Sequence, residues 1–340
     1  MTRLVITRLL TGLITLFLTA FFVFFAVQAL PGDVAHQLLG QDATPEALEQ
    51  LRARLGLDRG IWVRFWDWIS GVVTGDFGVS LVSGEPVAPT VWRAFGNTLL
   101  IAIPAIVVGV IGSILLGIWA ASRRNTKTDA SISLLALVGM SIPEFVTATV
   151  LVLLLAIIVP VFPAVVVTGP SATLSDLLPA TVLPAVTLVI SMAAYIVRAM
   201  RSSMIDGLAT EYATAATLKG VPRRRVLWRH VAPTAILPVL PIASINVAWL
   251  LGGVVVVESI FNYPGLGKLM LDSVSTRDLP ILQAIAILSA IIYVVANLLA
   301  DLTALISDPR LRASPTRRRA RRSQEAPASA ETVPATKGSE

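Results

Sequence analysis

The sequence predicts an all-α integral membrane protein with six transmembrane helices, a long external segment after the first and a short cytoplasmic helix between the fourth and fifth. Three observations carry this. Hydrophobic residues make up 55% of the 340-residue chain against 14% charged, and mean hydropathy is +0.78, a balance outside that of soluble globular domains. Six stretches are long and apolar enough to cross a hydrocarbon core about 30 Å thick, which takes about 20 residues at about 1.5 Å each. Lys and Arg concentrate in alternate loops, and cytoplasmic loops are the ones that retain positive charge.

The first apolar stretch, residues 9–30, follows Arg3 and Arg8. It is too long for the h-region of a secretory signal, about 7 to 15 residues, and is read as a retained span. Residues 31–96 form a polar external segment. Within it Thr44-Pro45-Glu46 reads as a helix start with Pro at the first helical position, Leu48, Leu51 and Leu55 share a face, and Gly56 is a stop. Trp62, Phe65, Trp66, Trp68 and Ile69 then concentrate aromatics as an interfacial helix does, serving either as an anchor or as a landing surface for a partner. The core, 97–306, holds spans 98–121, 132–159, 177–200, 236–257 and 281–306. Arg123, Arg124 and Lys127 follow the second span, and Arg198, Arg201, Lys219, Arg223, Arg224, Arg225 and Arg229 are assigned to the end of the fourth and the loop after it. The loop after the third has no Lys or Arg, and the loop after the fifth has only Lys268 and Arg277. Both termini are therefore expected in the cytoplasm. The tail, 307–340, is rich in Arg, then in Ala, Pro, Ser and Glu, and is expected to be disordered, its arginines holding anionic lipid or acting as a solvated topological signal.

The composition excludes several chemistries. There is no cysteine, so no disulfide, iron–sulfur cluster or thiolate zinc site exists, and His36 and His230 are the only histidines, with no HExxH. No metal site and no catalytic residue is expected. The net charge of +6 lies in loops beside apolar segments, so a membrane surface rather than nucleic acid is the expected partner.

The most informative loop is 210–225. Thr210 to Leu218 gives a compact helix of little bulk, with Glu211, Tyr212, Thr214, Ala215 and Ala216 in it. Lys219 and Gly220 follow, Gly220 suits a left-handed residue past the end, and Pro222 blocks continuation. A helix with so thin a surface fits a groove on another protein. Inside the spans, Pro143, Pro179, Pro184, Pro238 and Pro241 either kink helices around a cavity or are accommodated by packing. Glu144 is the one acidic residue well inside an apolar span, and a charge there faces a cavity, a partner or the inner headgroups. Asn246 offers a hydrogen-bonding group either to a path or to a neighbouring helix.

At these residues the chain resembles the inner-membrane permeases of ABC importers, and specifically the dipeptide/oligopeptide subfamily. Tyr212, Thr214, Ala215, Lys219 and Gly220 match its cytoplasmic signature, with Thr214 where the general importer signature has Glu. Leu30-Pro31-Gly32-Asp33, Leu55-Gly56-Leu57-Asp58, Gly75-Asp76-Phe77-Gly78 and Ser141-Ile142-Pro143 with Phe145 match in order. So do Glu258, Phe261, Tyr263-Pro264-Gly265-Leu266-Gly267, Arg277-Asp278, Asn297, Asp301 and Asp308-Pro309-Arg310. The resemblance implies a plasma-membrane permease paired with a second permease, two cytoplasmic ATPases that bind ATP and Mg, and an external solute-binding protein. It makes residues 211–220 the coupling helix and Glu258, Phe261, Pro264, Gly265 and Gly267 an external loop motif. The solute it implies is a peptide, with nickel chelates, glutathione or another small solute carried by members sharing every motif. The chain itself has no phosphate-binding loop, since Pro264-Gly265-Leu266-Gly267-Lys268-Leu269 lacks the first Gly and the final Ser or Thr, so no cofactor is expected on it. An ion-coupled secondary transporter would need several intramembrane charges and an inverted repeat, and neither is present.

Overall fold

A computed structural model describes residues 2–28, 44–54, 56, 58–166 and 174–307. The Leu30-Pro31-Gly32-Asp33 and Asp308-Pro309-Arg310 motifs, Leu55, Leu57 and the basic tail lie outside these residues. Within them, regular structure is helical apart from one isolated bridge between Val79 and Pro86. The helices are α1 (Thr2–Gln28), α2 (Pro45–Arg54), α3 (Ile61–Thr74), α4 (Val87–Ser122), α5 (Lys127–Ser141), α6 (Glu144–Val152) and α7 (Leu174–Leu208). They continue as α8 (Glu211–Leu218), α9 (Arg223–Arg225), α10 (Ala232–Ala235), α11 (Val239–Ile260), α12 (Leu266–Thr276) and α13 (Leu279–Ser307). π-Helical turns at Leu153–Ile158 and Val226–Val231 extend α6 and join α9 to α10.

Four helices, α1, α4, α7 and α13, are long and apolar enough to cross a membrane, and two bent pairs raise the number to six if each pair is one span. The bent pairs correct two expectations. The stretch 132–159 is not one rod but α5 and α6, whose axes turn through 108°. The cause is local: Pro143 has no N–H to donate, and Ile142 before it is pushed into extended backbone, φ −93° and ψ 125°. Glu144 is consequently the first residue of a helix rather than a point midway along one. The fifth apolar stretch, expected at 236–257, is likewise not one rod: helical structure from α9 to α10 leads into it and turns through 60° before α11, whose N-cap is Pro238. Helix α4 starts at Val87, inside the stretch 31–96.

Small residues let the two longest core helices approach. Ala102, Ala105, Gly109, Ser113 and Gly117 recur on one face of α4 and are all buried. A Cβ on Gly117 would stand 2.6 Å from Met200 Cβ and 2.9 Å from the Val197 carbonyl oxygen of α7, and one on Gly109 would overlap the end of Met192. Close backbone approach of this kind replaces the hydrophobic drive that lipid cannot supply between helices. Along the outside, α1 packs on α13, where a Cβ on Gly12 would meet Val294 at 2.8 Å. The aromatic helix α3 is seated on α1: Phe65 is 1% exposed and its ring meets those of Phe24 at 5.3 Å and Phe21 at 5.8 Å, the Trp62 ring meets Phe25 at 5.4 Å, and Trp66 faces outward.

Candidate functional site

Two ends of the helix bundle and one cavity between them hold the residues singled out in the sequence. At one end lies α8. Thr210 caps it, its hydroxyl accepting from Ala213 N at 3.4 Å, and Glu211 in the first turn complements the helix dipole. Gly220 ends it with φ +79°, and the Val221 amide returns to the Ala216 carbonyl at 3.2 Å. Only Ala213 and Ala216 are buried, against the core that includes Val226, Leu227 and Val231. Tyr212 is bonded through its hydroxyl to His230 Nδ1 at 2.7 Å, which fixes α8 to the π-turn beneath it. Glu211, Thr214, Ala215 and Lys219 face outward, and so does Leu218, 84% exposed. Leu218 joins the exposed set on geometry alone, whereas Ala216 turns inward.

The same end is held by an ion pair not anticipated from the sequence. Asp129, 4% exposed, receives Arg201 Nε at 2.6 Å and a second guanidinium nitrogen at 2.8 Å, plus the Asn125 amide at 3.1 Å. The planar fork matches both carboxylate oxygens and joins α5 to α7. Arg223 reaches the Ser122 carbonyl at the end of α4 at 3.3 Å.

At the opposite end the residues of the expected external loop motif form a buried knot. Glu258, 0% exposed, accepts from the Thr98 hydroxyl at 2.6 Å, from Gly267 N at 2.7 Å and from Lys268 N at 3.1 Å. Its carboxylate thus caps α12, whose own N-cap residue is Gly265. Thr98 also accepts from Leu266 N at 2.8 Å, and Asn97 donates to the Pro264 carbonyl at 2.9 Å, so α4 is tied to the same turn. Phe261 is buried and its carbonyl accepts from Val166 N at 3.0 Å. Burial, reinforced by the charge of Glu258, holds the Tyr263 hydroxyl well above its ordinary pKa. Nearby, Asp278, 3% exposed, is bonded by Ser80 and by Leu81 N at 3.3 Å, which pins loop 78–86 to the start of α13.

Between the ends is a cavity of about 520 Å³ that brings together Pro143, Glu144 and Asn246. It opens inside the bend between α5 and α6 and is completed by α7 and α11. Glu144 lies across Gly253 of α11, where any Cβ would overlap its carboxylate. No group of three or more His, Asp or Glu placed to hold a metal exists among the described residues.

Two family models match. Residues 1–102 match the N-terminal part of binding-protein-dependent transport system membrane components, and residues 113–313 match the binding-protein-dependent transport system inner membrane component. The chain is similar to the glutathione transport system permease protein GsiC of Escherichia coli strain K12, 36% identical over 308 residues, spanning 91% of this chain and 98% of that protein. GsiC of Shigella dysenteriae serotype 1 and of Shigella flexneri serotype 5b match at the same identity and coverage. With these matches running the length of the helix bundle, the chain belongs to the family of inner membrane permease components of binding-protein-dependent ABC importers.

Proposed function

We propose that the chain imports di- or oligopeptides by alternating access, as one of two permease subunits driven by separate cytoplasmic ATPases and supplied by an external solute-binding protein. The observation that carries this is α8, a helix seated on the protein by two alanines with its remaining face, Leu218 included, turned outward. Residues 211–220 are then the point where ATP-driven closure of the partners pushes on the bundle, and rigid-body tilting of the helices follows. ATP and Mg belong to those partners. The peptide solute rests on the frequency of peptide carriers in the dipeptide/oligopeptide subfamily, since members with other small solutes share every motif.

Six crossings with both termini in the cytoplasm fit this role. The support is the sorting of contacts by end: Ser122, Asp129, Arg201 and Arg223 meet one another's neighbourhood with α8, whereas Thr98, Val166, Glu258 and Asp278 belong to the other end. The bent pair α5/α6 begins at Lys127 beside the Asp129 contact and is followed by Val166 at the Phe261 contact, which supports reading it as one crossing. On this reading 1–30, 31–96, 97–306 and 307–340 are the first span, external segment, core and cytoplasmic tail.

Glutathione is the second reading, favoured by the name of the relatives at 36% identity. Being a γ-linked tripeptide, it shares an amino terminus and carboxylates with ordinary peptides. Nickel chelates and other small solutes share neither observation. Recovery of the subunit from native membranes with its partners, together with uptake of labelled tripeptide and glutathione in cells with and without it, tests the proposal. A second permease, P-loop ATPases and permease-dependent tripeptide uptake are expected. Permease-dependent glutathione uptake alone moves the substrate to the second reading, and recovery of the chain by itself overturns the coupling role.

A further inference from the structure

We infer that Glu144 makes the cavity a recognition site for an ammonium group of the transported solute, and this rests on the peptide-like substrate proposed above. The charge of the cavity wall is one-sided. Ser141 donates its hydroxyl hydrogen to the Leu137 carbonyl at 2.9 Å, Ser191 donates to the Thr187 carbonyl at 3.2 Å, and the Asn246 amide nitrogen donates to the Ile242 carbonyl at 2.8 Å. Each keeps an oxygen able to accept, while the Ser191 hydroxyl is also hydrogen-bonded to Glu144, Asn246 retains a second N–H, and Tyr195 and Trp249 add one donor each. Glu144 adds a carboxylate, and no Lys, Arg or His lines the cavity among the described residues.

A cavity wall with one negative charge and no cationic side chain among the described residues is unsuited to a carboxylate or phosphate and suited to a cation with several donors. An ammonium has three and no acceptor. Tyr195 and Trp249, which also line the cavity, add aromatic faces of the kind that attract such a cation. A divalent metal is disfavoured, because a single carboxylate falls short of the oxygen set that hard cations take. The position of the carboxylate is itself built: it rests on the bare backbone of Gly253, and Pro143 turns α6 so that its first residue faces the cavity instead of lipid. The ammonium is either the amino terminus of a peptide or a lysine side chain.

The test uses the native strain carrying the full importer, with chromosomal Glu144→Gln and Glu144→Asp and membrane levels of the permease followed by immunoblot. Uptake of labelled Ala-Ala-Ala and glutathione, each with a free amino terminus, is compared with that of N-acetyl-Ala-Lys-Ala, whose ammonium is on the side chain. The expected result is a loss of about tenfold in Glu144→Gln uptake, the scale of one charge-assisted hydrogen bond, with Glu144→Asp retaining most of it. Loss confined to the free-terminus solutes assigns the amino terminus, and loss confined to the acetylated peptide assigns lysine. Unchanged uptake in Glu144→Gln overturns the inference while leaving the importer reading intact. If deletion of the permease affects none of the solutes, the substrate reading fails and the ammonium site falls with it. Should neither variant reach the membrane, Ser191→Ala, which removes the hydroxyl bonded to Glu144, and Asn246→Leu take their place, and normal uptake in both overturns the inference.

Discussion

The carboxylate of Glu258 fills the space in which a side chain at Gly265 would begin, so the two residues form one device: the acid caps α12 because the glycine lets it in. One carboxylate oxygen takes the Thr98 hydroxyl and the other takes the Gly267 and Lys268 amides. Glu258→Gln keeps the volume but turns one of these two edges into a donor facing donors. The expected cost is about 1–3 kcal/mol, read as a lower unfolding temperature of the detergent-purified subunit by tryptophan fluorescence. Gly265→Ala is expected to destabilise by a similar amount through overlap, about 1–3 kcal/mol. Wild-type stability in both variants would mean that the knot closes around Glu258 without depending on it.

The Asp129 and Arg201 pair is expected to act as a clamp at the opposite end. Its carboxylate is 5% exposed and the guanidinium side chain 30% exposed, which places it well away from the freely solvated pairs that contribute little. A double-mutant cycle with Asp129→Ala and Arg201→Ala is expected to give a coupling energy of about 1–3 kcal/mol. Arg201→Lys is expected to recover only part of it, since an ammonium cannot reproduce the two parallel bonds. A coupling energy near zero would assign the joint between α5 and α7 to apolar packing alone.

The parts of this molecule legible in the sequence are those encoded locally. Apolar length marks the membrane helices, Thr210 and Gly220 delimit α8 by their own backbone preferences, and Pro143 announces a break, though not that the axes turn through 108°. Helix α12 escapes local reading because its cap comes from Glu258 rather than from Gly265 at its own N-cap. The joints are hidden by distance along the chain: Thr98 and Glu258 are 160 residues apart, and Ser80 and Asp278 are 198 apart. Arg201 reads in sequence only as one of several cytoplasmic cations, since nothing in its neighbourhood points to Asp129. The small residues of α4 are visible in the sequence, but their use becomes clear only beside Met192 and Met200.

Substitution on the outward face of α8 is expected to separate ATP hydrolysis from transport. A Cβ at Gly220 meets nothing within 4 Å, but the backbone there is left-handed, φ +79°, so Gly220→Trp combines strain with bulk on an open surface. Leu218→Glu puts a charge on the most exposed apolar side chain of the helix without altering the backbone. Both are expected to lower uptake by at least about fivefold, the lower range of an allosteric coupling, while the subunit remains in the membrane and the assembled ATPases keep basal activity. Ala213→Ser, on the buried face, is the control that should affect stability before coupling. Normal uptake in Leu218→Glu would remove this face from the coupling surface.

The orientation of the bundle is open to a direct test because the chain has no native cysteine. A single cysteine therefore reports one position without background. Lys219 lies at the end of α8 and Glu85 in the loop pinned by Asp278, and both are exposed, so each accepts a thiol at little cost. With a membrane-impermeant maleimide, Glu85→Cys is expected to react in intact spheroplasts, whereas Lys219→Cys reacts only after the membrane is opened. Cysteines at Asn125 and Val165 extend the test to the bent pair. Asn125 precedes α5 near the Asp129 clamp and Val165 lies beside the contact with Phe261, so opposite accessibility is expected if α5 and α6 cross together. Equal accessibility of the two would make the 108° turn a re-entrant loop, leave five crossings, and put the chain termini on opposite sides of the membrane.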